Sequence, residues 1–233
     1  MSRVEKKGKR NKRHKTIALS VLLKAIIIFI SLYVFFGNHF YLGTEINGVS
    51  VSGMTAEAAD KKLEAFASAY TLELNGRGDI KEKITGSELG LSMPDNGGSA
   101  TLKQEQNKTF WVASLFDRKA LKLGTGFLVD ENMMQEAYNK LSCVDPNKVT
   151  EPQNAKIVYG ENGYEVVPEV YGNKANIDIL YEAIKSAAIN GTVVLDLEGI
   201  KCYVDPSLTA DSGKVKETIT TLEKYLATKI NYN

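Results

Sequence analysis

The residue types that could support catalysis are scarce in this chain. It has two histidines, His14 in a basic N-terminal stretch and His39 directly after an apolar stretch, and residues 40–233 contain none. That part of the chain therefore has no histidine general base, no Ser-His or Cys-His pair and no histidine metal ligand. The two cysteines, Cys143 and Cys202, have no histidine there to activate a thiolate. We predict no enzymatic activity, no metal and no cofactor.

Paired carboxylates are the remaining catalytic possibility, because two of them can hydrolyse a glycosidic bond. Asp196 and Glu198 lie two residues apart on a predicted strand, which would place both side chains on one face. The same spacing is typical of a solvated strand face opposite Val193, Leu195 and Leu197. We favour the solvated face and predict no catalytic residues.

Aromatic side chains could form a surface on which sugar rings stack. The chain has one tryptophan and 11 tyrosines, and several of them fall on predicted strands or at strand edges. A tyrosine in such a position can equally be half-buried packing. The candidate glycan contacts are Trp111, Tyr159, Tyr164, Tyr171 and Tyr203.

The N-terminus has the pattern of a membrane anchor. Residues 1–15 contain eight Lys or Arg and one Glu, a net charge of +7, and a 20-residue apolar run from Ile17 to Phe36 follows. As a helix that run is about 30 Å long, which matches a bilayer core, and Lys24 is its only charge. The positive-inside rule predicts a cytoplasmic tail over 1–15, a transmembrane helix over 16–36 and a juxtamembrane linker over 37–45. A cleaved signal peptide is the alternative, but no small-x-small cleavage site follows the apolar run.

The composition after residue 36 bears on partners and on the cysteines. Residues 37–233 have a net charge of −7, which argues against nucleic acid as a partner. An extracytoplasmic location would permit a disulfide between Cys143 and Cys202, and two buried thiols are the alternative. The sequence alone leaves both possibilities open.

Sequence patterns predict an α+β fold, with two small units at 46–125 and 126–233 and mostly antiparallel sheets. In the first unit we expect an alternating strand over Ile46–Gly53, a helix capped by Thr55, and two strands that meet near Asn75 and Gly76. For the second unit the pattern favours a helix after Asp130, a hairpin around Gly160–Gly163, a helix over 176–190, a strand over Thr192–Leu197 and a helix over Val215–Ile230.

The segment after the apolar run resembles a known family. Ile46-Asn-Gly-Val-Ser-Val-Ser-Gly-Met-Thr55, followed by Glu57-Ala58 and Leu63, resembles the opening of the peptidoglycan-binding domain of bacterial L,D-transpeptidases and the N-terminal signature of VanW-like proteins. Later stretches are similar to the part that precedes the catalytic domain in those enzymes. They are Tyr164–Gly172, Asn176–Leu180, Gly191–Leu197 and the final helix.

The chain departs from that family at the catalytic motif. L,D-transpeptidases have a Ser-His-Gly-Cys motif, and neither Cys143 nor Cys202 stands in such a context. The resemblance therefore implies a non-catalytic, wall-facing module with the membrane and peptidoglycan as partners, and a separate transpeptidase as a further partner. The alternative is that the chain is the truncated or split N-terminal part of an L,D-transpeptidase.

Overall fold

The structure is a computed structural model that describes residues 3–94, 98–106, 110–116, 119–124 and 126–227. Side chains are described from Lys15 onward, except those of residues 110 and 115. The fold is α+β, as predicted, with six α-helices and small sheets in this part of the chain. The chain divides into two compact units, one formed by residues 1–66 and 93–126 and the other by 67–92 and 127–233.

The first helix, α1, runs from Arg3 to Asn38. Its section Lys15–Asn38 is 24 residues long, and no residue of the most apolar stretch of this section is buried within the protein. At 1.5 Å per residue this section is about 36 Å long. The prediction of one N-terminal helix that is long and apolar enough to cross a membrane is confirmed.

The remainder of the first unit is built around short elements. Strands β1 (Glu45–Ile46) and β2 (Val49–Ser50) form an antiparallel pair, and β5 (Ala120–Leu121) pairs with β1 in parallel. Helix α2 spans Ala56–Ala69, α3 spans Ser99–Glu105, and a 3-10 helix covers Phe110–Leu115. The single strand predicted over 46–53 is instead a tight hairpin, because Asn47 and Gly48 take positive φ angles of 47° and 76°.

Residues 37–45, predicted as a juxtamembrane linker, are packed into the first unit. Phe40, Tyr41 and Thr44 are all buried. The Phe40 N–H donates to the Met54 carbonyl over 2.8 Å, and the Gly53 N–H donates to the Phe40 carbonyl over 3.1 Å. Burial of two adjacent aromatic rings gives this segment a fixed place, whereas a linker would leave them in water.

The second unit contains a three-stranded sheet in the order β4-β3-β8. β3 (Thr71–Asn75) pairs antiparallel with β4 (Lys81–Thr85) and parallel with β8 (Val194–Asp196). β6 (Lys156–Gly160) and β7 (Gly163–Val167) form the predicted hairpin. The helices are α4 (Glu131–Tyr138), α5 (Ile177–Asn190) and α6 (Gly213–Ala227). The last three residues of the helix predicted over Val215–Ile230 lie outside the described residues.

Helix ends in the second unit follow the local signals in the sequence. Asp130 Oδ1 accepts hydrogen bonds from the main-chain N–H groups of Asn132 and Met133, at 2.9 and 3.0 Å, and so begins α4. Gly191, with φ of 71°, ends α5 in the left-handed conformation that glycine adopts without strain. Leu180 and Ile184 on α5 are fully buried, as the amphipathic pattern predicts.

Two features of the predicted fold differ from the structure. The expectation of mostly antiparallel sheets is wrong, because two of the three sheets among the described residues are mixed, through the parallel pairs β1–β5 and β3–β8. The two units are also not separated by the single boundary expected between residues 125 and 126, because each unit is formed by two separate stretches of the chain. Residues 67–92 belong with the second unit, since β3 pairs with a strand that lies about 120 residues later in the chain.

Candidate functional site

Trp111 lies in the first unit and is only 5% exposed. Its ring centroid is 5.2 Å from that of Phe29 and 5.9 Å from that of Phe36, both on α1. Phe36 and Tyr41 complete a buried cluster with it. The sugar-stacking role predicted for Trp111 needs an exposed ring face, and this packing does not leave one.

Tyr159 and Tyr164 face each other across the β6–β7 hairpin. Their ring centroids are 5.0 Å apart, at an interplanar angle of 69°, an edge-to-face arrangement. Tyr159 is 66% exposed, whereas Tyr164 is half-buried. The pair leaves one tyrosine ring broadly accessible on a rigid two-stranded support.

Tyr171 and Tyr203 meet around an arginine that the sequence analysis did not single out. Arg77 lies in a short 3-10 turn, Arg77–Asp79, between β3 and β4. Its guanidinium carbon is 4.5 Å from the ring centroid of Tyr203 and 5.3 Å from that of Tyr171. Both distances are within the range of a cation–π contact.

The Arg77 guanidinium is held by a full set of acceptors. Its Nε donates to Glu198 over 2.5 Å, and its Nη2 donates to Glu198 over 3.2 Å and to Asp205 over 2.8 Å. Its Nη1 donates to the main-chain carbonyls of Tyr171 and Gly172, at 3.2 and 3.3 Å. The hydrogen bond to Glu198, ahead of the other contacts, raises the pKa of Arg77 above its ordinary value. All five N–H groups of the Arg77 guanidinium therefore donate hydrogen bonds within the protein.

Tyr203 is fixed at both ends by the same residue. Its hydroxyl accepts a hydrogen bond from the main-chain N–H of Arg77 over 3.0 Å, while its ring lies against the guanidinium. Burial is the main cause that raises the pKa of Tyr203. A Cβ at Gly76 would lie 2.9 Å from this hydroxyl oxygen, so glycine leaves the room that the contact requires.

We name Arg77, Tyr171, Glu198, Tyr203 and Asp205 the tyrosine–arginine patch. Because its donors are all used, Arg77 clamps three chain segments together and holds the two rings in place. The side chains of Glu198 and Asp205 are 51% and 59% exposed, so both remain accessible to solvent beside Arg77. Tyr171 is 44% exposed. The patch therefore presents an aromatic ring and carboxylate acceptors on a rigid base, the groups that contact sugar rings and hydroxyls.

The paired carboxylates expected on one strand face are not arranged in that way. β8 ends at Asp196, and Glu198 lies in the turn that follows. The Glu198 N–H donates to Asp196 Oδ1 over 3.1 Å, so Asp196 caps this turn, while the Glu198 carboxylate pairs with Arg77. The two side chains serve separate structural roles, and the strand geometry behind the glycosidase alternative is wrong.

Cys143 and Cys202 are both free and buried. They flank one segment, since the Ala175 N–H donates to the Cys143 carbonyl and the Asn176 N–H donates to the Cys202 carbonyl. Burial raises the pKa of Cys143 to about 12 and that of Cys202 to about 11. The structure thus favours the second alternative left open by the sequence, two small buried thiols.

The described part of the chain contains no group of three or more His, Cys, Asp or Glu side chains that could hold a metal ion. No protein-family model matches the chain, and comparisons with curated proteins and with solved structures found no match.

Proposed function

We propose that the protein is a membrane-anchored, cell-wall-facing module that binds peptidoglycan without acting on it chemically. The observation that carries the proposal is the exposure of α1: the most apolar stretch of this helix is not buried against the rest of the protein. A helix of this length with an apolar surface is stable where it is surrounded by hydrocarbon. Its C-terminal end continues directly into the packed residues 37–45, so the rest of the first unit would stand at the membrane surface.

Charge supports one orientation of this helix. Residues 1–15 have a net charge of +7, whereas residues 37–233 have a net charge of −7. The positive-inside rule then favours a cytoplasmic N-terminus and an extracytoplasmic location for both units. In a bacterial cell that location faces the wall.

Exposed tyrosines support the wall as the binding partner. Tyr159 and Tyr171 offer accessible rings, and the partly exposed side chains of Glu198 and Asp205 join Tyr171 around Arg77. The resemblance of residues 46–63 to the peptidoglycan-binding domain of L,D-transpeptidases supports the same conclusion. Because the exterior part is acidic, we expect affinity from stacking and hydrogen bonds, and little dependence on salt.

The available nucleophiles support a non-catalytic role. Residues 40–233 have no histidine, and both thiols are buried with raised pKa values. A thiol that remains protonated is a poor nucleophile for acyl transfer. We expect the protein neither to cross-link nor to hydrolyse peptidoglycan, which mass spectrometry of sacculi incubated with it would test.

A topology experiment tests the anchor. Protease added to spheroplasts should digest the chain after about residue 40 and spare the basic tail. Protection of the C-terminal part would contradict the orientation, and a mature N-terminus near residue 40 would contradict the anchor.

A sedimentation experiment tests binding. The full-length protein in nanodiscs should co-sediment with sacculi stripped of teichoic acid, with little change at high salt. Tyr171→Ala and Tyr159→Ala should each weaken binding by about 2- to 10-fold, the range expected from one aromatic contact. Tyr225→Ala removes a tyrosine on α6 that is 73% exposed and is the matched control. No co-sedimentation beside a positive control, or an equal loss in all three variants, would contradict this proposal.

A further inference from the structure

Trp111 ties the 3-10 helix to the C-terminal end of α1. Its ring lies 5.2 Å from that of Phe29 and 5.9 Å from that of Phe36. These two phenylalanines are seven residues apart, so they are about 10 Å apart along the helix axis. The indole therefore lies beside the last two turns of the apolar section, at a depth fixed by α1 itself.

Polar contacts fasten the neighbouring helix α3 to the same end of α1. Lys103 Nζ donates to the carbonyls of Phe36 and Gly37, at 3.1 and 3.2 Å, and Lys103 is only 8% exposed. Gln106 donates to the His39 carbonyl over 3.2 Å and accepts from the Tyr41 N–H over 3.0 Å. The last carbonyls of a helix lack partners within it and attract a cation. These contacts fix the position of α3 and Gln106 along the axis of α1.

The segment over residues 110–116 presents an apolar surface at the same end of α1. Its sequence, Phe-Trp-Val-Ala-Ser-Leu-Phe, contains no charged residue. Phe116 is 89% exposed and Val112 is 42% exposed. On α1 itself Phe35 is 41% exposed, and Leu42, just beyond the helix, is 44% exposed. In water this much apolar surface beside an apolar helix would be costly.

We propose that residues 110–116 lie in the interfacial layer of the bilayer that α1 spans, in the leaflet at the C-terminal end of α1. The occupant of the apolar surface is lipid, since the surface is continuous with α1, and the most apolar stretch of α1 is itself not buried in the protein. The exposed Phe116 ring suits this layer, where an apolar ring meets lipid and the main chain can still reach water. The inference depends on the anchor proposed above but not on peptidoglycan binding.

The single tryptophan makes this testable in the full-length chain. The protein is reconstituted into phosphatidylcholine vesicles with bromine on the acyl chain, either near the glycerol end or near the methyl end. We expect Trp111 emission to be quenched more strongly by the shallow bromines than by the deep ones. Trp111→Phe, which removes the only tryptophan, is the blank for scattering and tyrosine emission.

A second variant places the probe on the exposed side chain. In Trp111→Phe/Phe116→Trp we expect blue-shifted emission and preferential quenching by the shallow bromines. Emission like that of tryptophan in water, with full quenching by iodide, would overturn the proposal. Protection from iodide without quenching by bromine would also overturn it, because it would indicate a protein partner or a second copy on this surface.

Flotation and an alkaline wash separate this inference from the anchor. Protein that floats with the vesicles and resists the wash, but has a water-exposed probe at position 116, would retain the anchor and refute the interfacial segment. Protein that fails to float would refute both.

Discussion

The Arg77 guanidinium lies 4.5 Å from the ring centroid of Tyr203, while the Arg77 main-chain N–H donates to the hydroxyl of that same tyrosine over 3.0 Å. Arg77 thus contacts both the ring face and the hydroxyl group of Tyr203. Since Arg77 also contacts Tyr171, Glu198 and Asp205, the turn after β3 holds together segments that lie about 100 residues later in the chain. This relationship makes the tyrosine–arginine patch a rigid unit whose parts can be tested by substitution.

Replacing Arg77 should destabilise the second unit. Arg77→Ala leaves Glu198 and Asp205 without their cation and removes five hydrogen bonds, and we expect a loss of about 1–2 kcal/mol in the free energy of unfolding. Arg77→Lys keeps the charge but cannot reproduce the planar fork, so it should recover only part of the loss. Urea unfolding followed by near-ultraviolet circular dichroism measures the difference.

The matched control for Arg77 is a more exposed ion pair in the same unit. Lys174 pairs with Glu151 over 2.8 Å, and the two side chains are 46% and 62% exposed. Lys174→Ala should therefore cost less than about 0.5 kcal/mol. An equal effect of Lys174→Ala and Arg77→Ala would mean that the patch has no special structural role.

Adding a methyl group at Gly76 should disturb the same tyrosine. A Cβ there would lie 2.9 Å from the Tyr203 hydroxyl oxygen and 3.4 Å from the Ile80 carbonyl oxygen. We expect Gly76→Ala to cost about 1–3 kcal/mol in unfolding free energy through overpacking. In a Tyr203→Phe background the closest clash is absent, so the cost of Gly76→Ala should be smaller. An unchanged cost in the double-mutant cycle would place the strain elsewhere.

The two thiols should be unreactive in the folded protein. The pKa of Cys143 is raised to about 12 and that of Cys202 to about 11, both mainly by burial, so at about pH 8 almost no thiolate forms. We expect iodoacetamide to label neither residue without denaturant and both after unfolding, as peptide mass spectrometry can show. Tyr225→Cys, at a position that is 73% exposed, is the positive control. Rapid labelling of the native wild-type protein would contradict the burial of these thiols.

Glu88 should add stability that disappears in acid. Hydrogen bonds from the Thr85 main-chain N–H and hydroxyl, at 2.8 and 2.7 Å, lower the pKa of its carboxyl from its ordinary value. A lowered folded-state pKa means that the contribution is complete above the unfolded value and is lost as the pH falls through the folded value. The stability difference between the wild type and Glu88→Gln should therefore shrink below about pH 4, in thermal unfolding at several pH values. A constant difference across that range would show that ionisation of Glu88 is irrelevant.

Local signals in the sequence were sufficient for much of the secondary structure. The helix predicted after Asp130 begins there, the helix predicted over 176–190 ends at Gly191, and the glycine-flanked turn between β6 and β7 closes the expected hairpin. Each of these features depends on residues a few positions apart, so side-chain chemistry alone specifies it.

Contacts between residues that are far apart in the sequence could not be predicted from these local signals. The parallel pair β3–β8 joins Leu74 to Leu195, and the sequences of two such short strands do not indicate that they are partners. Arg77 was missed for the same reason: Arg77-Gly78-Asp79 reads as an ordinary surface turn, and its partners come from residues 171–205. Of the five aromatic candidates, the sequence could not separate exposed Tyr159 from buried Trp111, because exposure is a property of the packed chain.

The packed residues 37–45 join α1 to the rest of the first unit without a flexible linker. Lys103 and Gln106 bind the same junction from the side of α3, so a change in the inclination of α1 would also tilt the rest of the first unit. Helices in bilayers tilt to match hydrocarbon thickness. Where α1 crosses a membrane, the thickness of that membrane would thus influence the angle between the rest of the first unit and the membrane plane.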